Sequence, residues 1–98
     1  MPYSFRAALW HYPGKDGWHF VTLPPDLAEE IEARAPAPRR GFGALRVSAT
    51  IGDTTWATSI FPDKRTTSYL LPVKQQVRTA ERLADGDTVA VHLEVVAP

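Results

Sequence analysis

The sequence contains no cysteine. Disulfide frameworks, thiolate zinc sites, iron–sulfur clusters and cysteine nucleophiles are therefore excluded. Long apolar runs are missing too: nothing approaches the ~18 residues that span a bilayer. The first residues, Met1-Pro2-Tyr3-Ser4-Phe5-Arg6, show no basic segment followed by an apolar one, so no signal peptide is expected there. Neither charge sign dominates. Eleven Lys and Arg balance eleven Asp and Glu, which argues against a surface that grips nucleic acid or anionic lipid as a whole and leaves room for a local basic patch. His11, His19 and His92 have no ligand spacing such as His-x-x-x-His, so neither a metal nor a cofactor is expected. There is no glycine-rich phosphate loop. Ser59, in Thr58-Ser59-Ile60, lacks the flanking glycines of a nucleophile elbow. Asp85 and Asp87 flank Gly86, where turn formation accounts for them. Catalysis is the least supported class, and a non-enzymatic, cytoplasmic protein is the expectation.

What is present is ordinary globular composition, 44% hydrophobic and 22% charged over 98 residues. That length suits one domain with one core, spanning residues 1–98. From Phe5 to Tyr12 the side chains alternate, with Phe5, Ala7 and Leu9 on one face and Arg6, Ala8, Trp10 and Tyr12 on the other. Pro13 to Gly17 is a turn cluster, and Trp18 to Leu23 is the return strand of a hairpin. Pro24-Pro25-Asp26 ends that strand and suits a helix from about Pro25 to Arg34, with Leu27 and Ile31 one turn apart. Ala35-Pro36-Ala37-Pro38 stops it. A strand from Ala44 to Ile51 and another from Thr54 to Phe61 flank the two-residue turn Gly52-Asp53. That turn sets Ala49 opposite Trp56, Val47 opposite Thr58 and Leu45 opposite Ile60, and brings Arg46 and Ser59 together on the outer face. Pro62 to Thr67 reads as a polar loop and Ser68 to Leu71 as a short strand. A second helix follows Pro72 and runs to about Leu83, with Val73, Val77 and Ala80 on its apolar side. Val89, Val91, Leu93 and Val95 then alternate along a final strand.

Two segments share a plan. Phe20-Val21-Thr22-Leu23-Pro24 and Tyr69-Leu70-Leu71-Pro72 each lead into a helix and then a strand, so that Leu23-Pro24 recurs as Leu71-Pro72 half a chain later. Two such halves could bury apolar faces that neither could bury alone. Chance is an equal explanation for so common a dipeptide. The second segment, continuing into Leu83-Ala84-Asp85-Gly86-Asp87-Thr88-Val89, resembles the half-barrel of AbrB/MazE-type swapped-hairpin proteins, which build a DNA-binding barrel from two chains.

A broader likeness rests on Gly17-Trp18, Phe20-Val21, Leu23-Pro24, Arg40-Gly41, Thr58-Ser59-Ile60-Phe61-Pro62, Tyr69-Leu70-Leu71-Pro72-Val73-Lys74, Val77-Arg78 and Gly86-Asp87. Together these resemble the bacterial domain-of-unknown-function family nineteen-oh-five from Phe5 to Val95. The resemblance implies a small closed β-barrel with short helices, and no established reaction. The expected fold is thus mainly β: a closed barrel of about six strands with two short helices, pseudo-two-fold in the manner of a double-split barrel.

Three constellations bear on function. Lys74, Arg78 and Arg82 recur at every fourth position and would form a basic stripe on the second helix, with Arg39-Arg40 and Lys64-Arg65 elsewhere. Such cations bind phosphate or carboxylate, but a solvated helix face is the favoured explanation. The first helix is acidic, with Asp26, Glu29, Glu30 and Glu32 against Arg34. This asymmetry is unsuited to duplex DNA, which is negative on both strands. Trp10, Trp18, Trp56, Tyr12 and Phe42 would line a pocket or stack on bases, although tryptophans in a small barrel more often pack the core and the barrel ends. The preferred expectation is a non-catalytic binding module, monomeric or homodimeric, for a small anionic or aromatic ligand or a partner protein. Lys74, Arg78 and Arg40 would supply charge, and Ser59, Trp56 and Trp18 the wall. The alternative is a nucleic-acid-binding barrel using Arg39, Arg40, Arg46, Lys64 and Arg65. A structural or toxin–antitoxin-like partner protein is a third class.

Overall fold

Alternating apolar residues need a surface on which every second side chain can be buried, and a closed sheet supplies it without leaving an edge. The structure, a computed structural model, describes residues 2–14, 17–34 and 43–96. Its elements are β1 (Pro2–His11), β2 (His19–Thr22), α1 (Pro25–Arg34), β3 (Leu45–Ile51), β4 (Thr54–Asp63), β5 (Ser68–Pro72), α2 (Gln75–Ala80) and β6 (Thr88–Val95). All strands pair antiparallel and close into a barrel in the order β1-β2-β5-β4-β3-β6. Expectations that fall on Lys15, Asp16 or residues 35–42, including Arg39, Arg40 and Phe42, lie outside the described residues.

The inward face of every strand feeds one core. Leu9, Val21, Val47, Ile60, Leu71 and Leu93 are among its fully buried members, joined by Ile31 of α1 and Val77 of α2. Each buried Leu, Ile or Val contributes roughly 1.5–3 kcal/mol. A charge at any of them would empty the barrel of its driving force. The β3–β4 hairpin has the register that its two-residue turn dictates: Leu45 faces Ile60, Val47 faces Thr58 and Ala49 faces Trp56. Gly52 takes the turn with φ +59°, and a Cβ there would run into the Glu81 carboxylate. Glu81 in turn accepts a 2.6 Å hydrogen bond from Thr54 Oγ1, so the segment after α2 is pinned to the hairpin.

The chain is two halves, but not in the register of the Leu-Pro steps. Exchanging β1-β2-α1-β3 with β4-β5-α2-β6 reproduces the same closed strand order. Leu23 N–H donates to the Tyr69 carbonyl at 3.0 Å, and Val73 N–H donates to the His19 carbonyl at 2.9 Å. These are one hydrogen bond seen twice, and they match Leu23 with Val73 and His19 with Tyr69. Pro24 therefore corresponds to Lys74, whereas Leu71 corresponds to Val21. The recurrence of Leu23-Pro24 as Leu71-Pro72 falls short of that match and is not the structural repeat. Equivalence is decided by where the backbone ladder closes across the two-fold, and a dipeptide does not fix that.

The second helix is also shorter than its apolar spacing predicts. α2 ends at Ala80, Glu81 caps it, and Arg82 adopts a left-handed φ of +55°. Leu83 then packs against the core instead of continuing the helix. The expected basic stripe is corrected accordingly: Lys74 stands just before the helix, Arg78 is on it, and Arg82 has left it. The strand β4 runs through Pro62 to Asp63, into what reads as a loop. Among the described residues no helix is long and apolar enough to cross a membrane.

Candidate functional site

β4 divides its allegiance. From Thr54 to Ile60 it pairs with β3, but only Phe61 to Asp63 pair with β5. Where β4 has no β5 partner the barrel wall splits, and a cleft of about 490 Å³ opens. Trp56 to Ser59 and Phe61 form one bank, Pro72 to Gln75 with Arg78 form the other, and Gly17 to His19 with Arg46 complete it. Its size lies within the range of small-molecule sites.

Charge in the cleft has one sign. Arg46, Lys74 and Arg78 line it, and none of the described lining residues is a carboxylate. None of the three has an ion-pair partner among the described residues. Arg78 is held from behind: its Nε donates to the Val73 carbonyl at 3.1 Å, which fixes the guanidinium while its terminal nitrogens have no hydrogen-bond partner among the described residues. Arg46 projects from the outer face of β3 and donates to Ser59 Oγ at 3.3 Å across the β3–β4 ladder. A planar guanidinium in this state is predisposed to a bidentate anion.

The aromatic components differ in kind. Trp56 is 8% exposed and belongs to the core while also lining the cleft. Trp18 is 53% exposed. Its ring lies near-parallel to Phe20, 13° apart with centroids 5.9 Å apart. His19 beside it donates from Nδ1 to the Gly17 carbonyl at 2.8 Å, which leaves Nε2 as an acceptor in the neutral ring.

Trp18 also borders a second concavity of about 400 Å³, lined by Tyr12, Pro13, Gly14, Phe20, Phe61 and Leu70. This groove lies on the outer face of the sheet. There the register sets Trp10 opposite Phe20 and Phe61 opposite Leu70. Trp10 is half-buried, packed on Phe20 at 5.3 Å and tethered by a 2.9 Å hydrogen bond from Nε1 to Thr22 Oγ1. Trp10 thus occupies the face opposite Leu9, as the alternation requires.

Of the residues singled out in the sequence, Lys74, Arg78, Ser59, Trp56 and Trp18 meet in the one cleft. Arg40 lies outside the described residues. Arg46, grouped in the sequence with a nucleic-acid surface, joins the same cleft, and its expected juxtaposition to Ser59 was the signal that could have placed it there. Phe61, Gln75 and His19 were not anticipated, because their approach depends on how far β4 stays unpaired. Lys64 stands apart, in a third concavity of about 330 Å³ with Asp63, Glu29, Glu32 and Tyr69. There Tyr69 Oη donates to Glu32. Arg65 is exposed in the β4–β5 turn. Of the described cations proposed for a nucleic-acid surface, Lys64 and Arg65 therefore lie apart from Arg46.

No curated protein matches the sequence. A family profile does, over residues 5–93. That span runs from Phe5 in β1 to Leu93 in β6 and takes in both banks of the cleft. The chain belongs to the family described as a domain of unknown function (DUF1905).

Proposed function

We propose that the barrel is a non-catalytic binding module whose ligand is a small anion with an aromatic or apolar part, held in the split between β4 and α2. The observation that carries this reading is the charge of the cleft: Arg46, Lys74 and Arg78 converge on it with no carboxylate among the described lining residues. On a surface of balanced overall charge, cations without an ion-pair partner among the described residues around a concavity leave an anion as the complement. Ser59 and Gln75 add hydroxyl and amide groups for orientation, and Trp18 and Trp56 add apolar wall. A duplex-binding role draws less support, since Lys64 shares its concavity with Asp63, Glu29 and Glu32.

Phenyl phosphate titrated into the ¹⁵N-labelled protein is the direct test. Saturable shifts are expected at the amides of Lys74, Arg78 and Ser59, and they should weaken with added salt. The double substitution Arg46→Gln, Lys74→Gln should weaken binding at least tenfold, because each charge-assisted hydrogen bond contributes about 1.5–3 kcal/mol. Shifts confined to another surface, or no saturation by about 10 mM ligand, a range weaker than millimolar affinity, would overturn the reading.

A further inference from the structure

The cationic cleft does not end where its charges end. Gly17, Trp18 and Phe61 line both it and the aromatic groove beside it, so the two concavities adjoin along these residues. A bare inorganic anion would fill a small part of the first and none of the second. An aliphatic acid would meet a groove whose wall is made largely of flat rings: Tyr12, Trp18, Phe20 and Phe61. Trp18 and Phe20 already lie near-parallel, with Trp18 the outer of the two and more than half exposed. Near-parallel rings with an open outer member form a platform on which one more flat ring continues the stack.

We infer that these adjoining concavities take a nucleoside phosphate, with the phosphate among Arg46, Lys74 and Arg78 and the base laid on Trp18 beside the Phe61 wall. The inference rests on the anion-binding reading of the cleft and names the ligand's second half. Charge and shape both enter it. A nucleotide carries a flat ring at one end, a multiply charged group at the other, and a hydroxylated sugar between them. Ser59 and Gln75 lie on the cleft's opposite banks to meet that sugar. The same chemistry is offered by a free nucleotide and by one unit of a single strand. It is not offered by a duplex, whose bases are already stacked on each other and present only their edges.

The test compares adenosine monophosphate, ribose 5-phosphate and a single-stranded pentanucleotide on the full chain, followed by ¹⁵N shifts and tryptophan fluorescence. Adenosine monophosphate should bind about ten- to hundredfold more tightly than ribose 5-phosphate, the fold-change that a base–aromatic stack supplies. Trp18→Ala should erase that advantage, and Trp18→Phe should keep most of it. Equal affinity for the two phosphates overturns the nucleoside inference and leaves the anion cleft standing. Failure of both to bind overturns the inference together with the anion reading. With the base preference in place, a pentanucleotide binding more than tenfold tighter than the monophosphate assigns a strand as the source. Comparable affinity assigns the free nucleotide.

Discussion

The cationic cleft beside α2 and the acidic concavity beside α1 overlap when one half of the barrel is laid on the other. In the register that matches Leu23 with Val73, Gly17, Trp18 and His19 of the first correspond to Thr67, Ser68 and Tyr69 of the second, and Gln75 and Arg78 correspond to Pro25 and Ala28. Even the backbone agrees: Gly17 has φ +65° and Thr67 has φ +53°. Yet one concavity gathers Arg46, Lys74 and Arg78 around an exposed tryptophan, and the other gathers Glu29, Glu32 and Asp63 around a buried serine. The difference turns on one carbonyl in each half. After β5, the Val73 carbonyl accepts from the Arg78 guanidinium at 3.1 Å. After β2, the equivalent Leu23 carbonyl accepts from Ser68 Oγ at 2.7 Å. A short hydroxyl satisfies the acceptor inside the protein. A guanidinium satisfies it with one nitrogen and holds the rest of its charge at the cleft. Symmetry in the scaffold thus places two concavities, and a handful of substitutions makes them opposites.

Three measurements would break or sharpen this comparison. The largest effect is expected in the core, where Leu9 and Ile60 are equivalent, each just ahead of an outward aromatic (Trp10 and Phe61) that pairs in the same register. Leu9→Ala and Ile60→Ala should each lower the unfolding free energy by about 2–5 kcal/mol in urea titrations. If only one of the two mattered, the halves would not share a single core. Next come the paired carbonyls. Ser68→Ala buries the Leu23 carbonyl without a partner and should cost about 1–3 kcal/mol, whereas Arg78→Met leaves the Val73 carbonyl to cleft water and should cost less than about 1 kcal/mol. A reversal of that order would mean the serine is not what closes the first half. The smallest effect concerns the left-handed residues. Thr67→Gly should raise stability by up to about 1 kcal/mol by relieving a β-branched residue, and Gly17→Ala should lower it by about 1 kcal/mol. The Gly17 loss would be purely conformational, since an added Cβ there meets no atom within 4 Å. A change near zero at both positions would show that the shared left-handed φ carries no penalty in either turn.

Much of the fold could be read residue by residue. The hairpin register from Leu45 to Ile60, the start and end of α1 and the inward face of β6 all follow from spacing that repeats every second or every third-to-fourth residue. Five of the six residues proposed for the site do share one cleft, because the hairpin register and the Pro72 step were placed closely enough to bring them together. The misreadings have a common cause. The Leu-Pro repeat relied on a dipeptide, and the long second helix relied on apolar spacing at Leu83. Both were overruled by contacts with residues far along the chain: His19 bonding Val73, and the core drawing Leu83 in.

The closed barrel was implied by the family resemblance, whereas the order of amino acids by itself determined where most strands and the first helix lie and which side of each strand is apolar. Those outcomes depend on neighbours within a few positions and on the need to remove apolar faces from water. The tertiary structure alone decided where β4 parts from β5, which cations share a cleft, and how Trp18 comes to be an open platform beside them. Those depend on the closing of the sheet across its two-fold, where residues half a chain apart first meet.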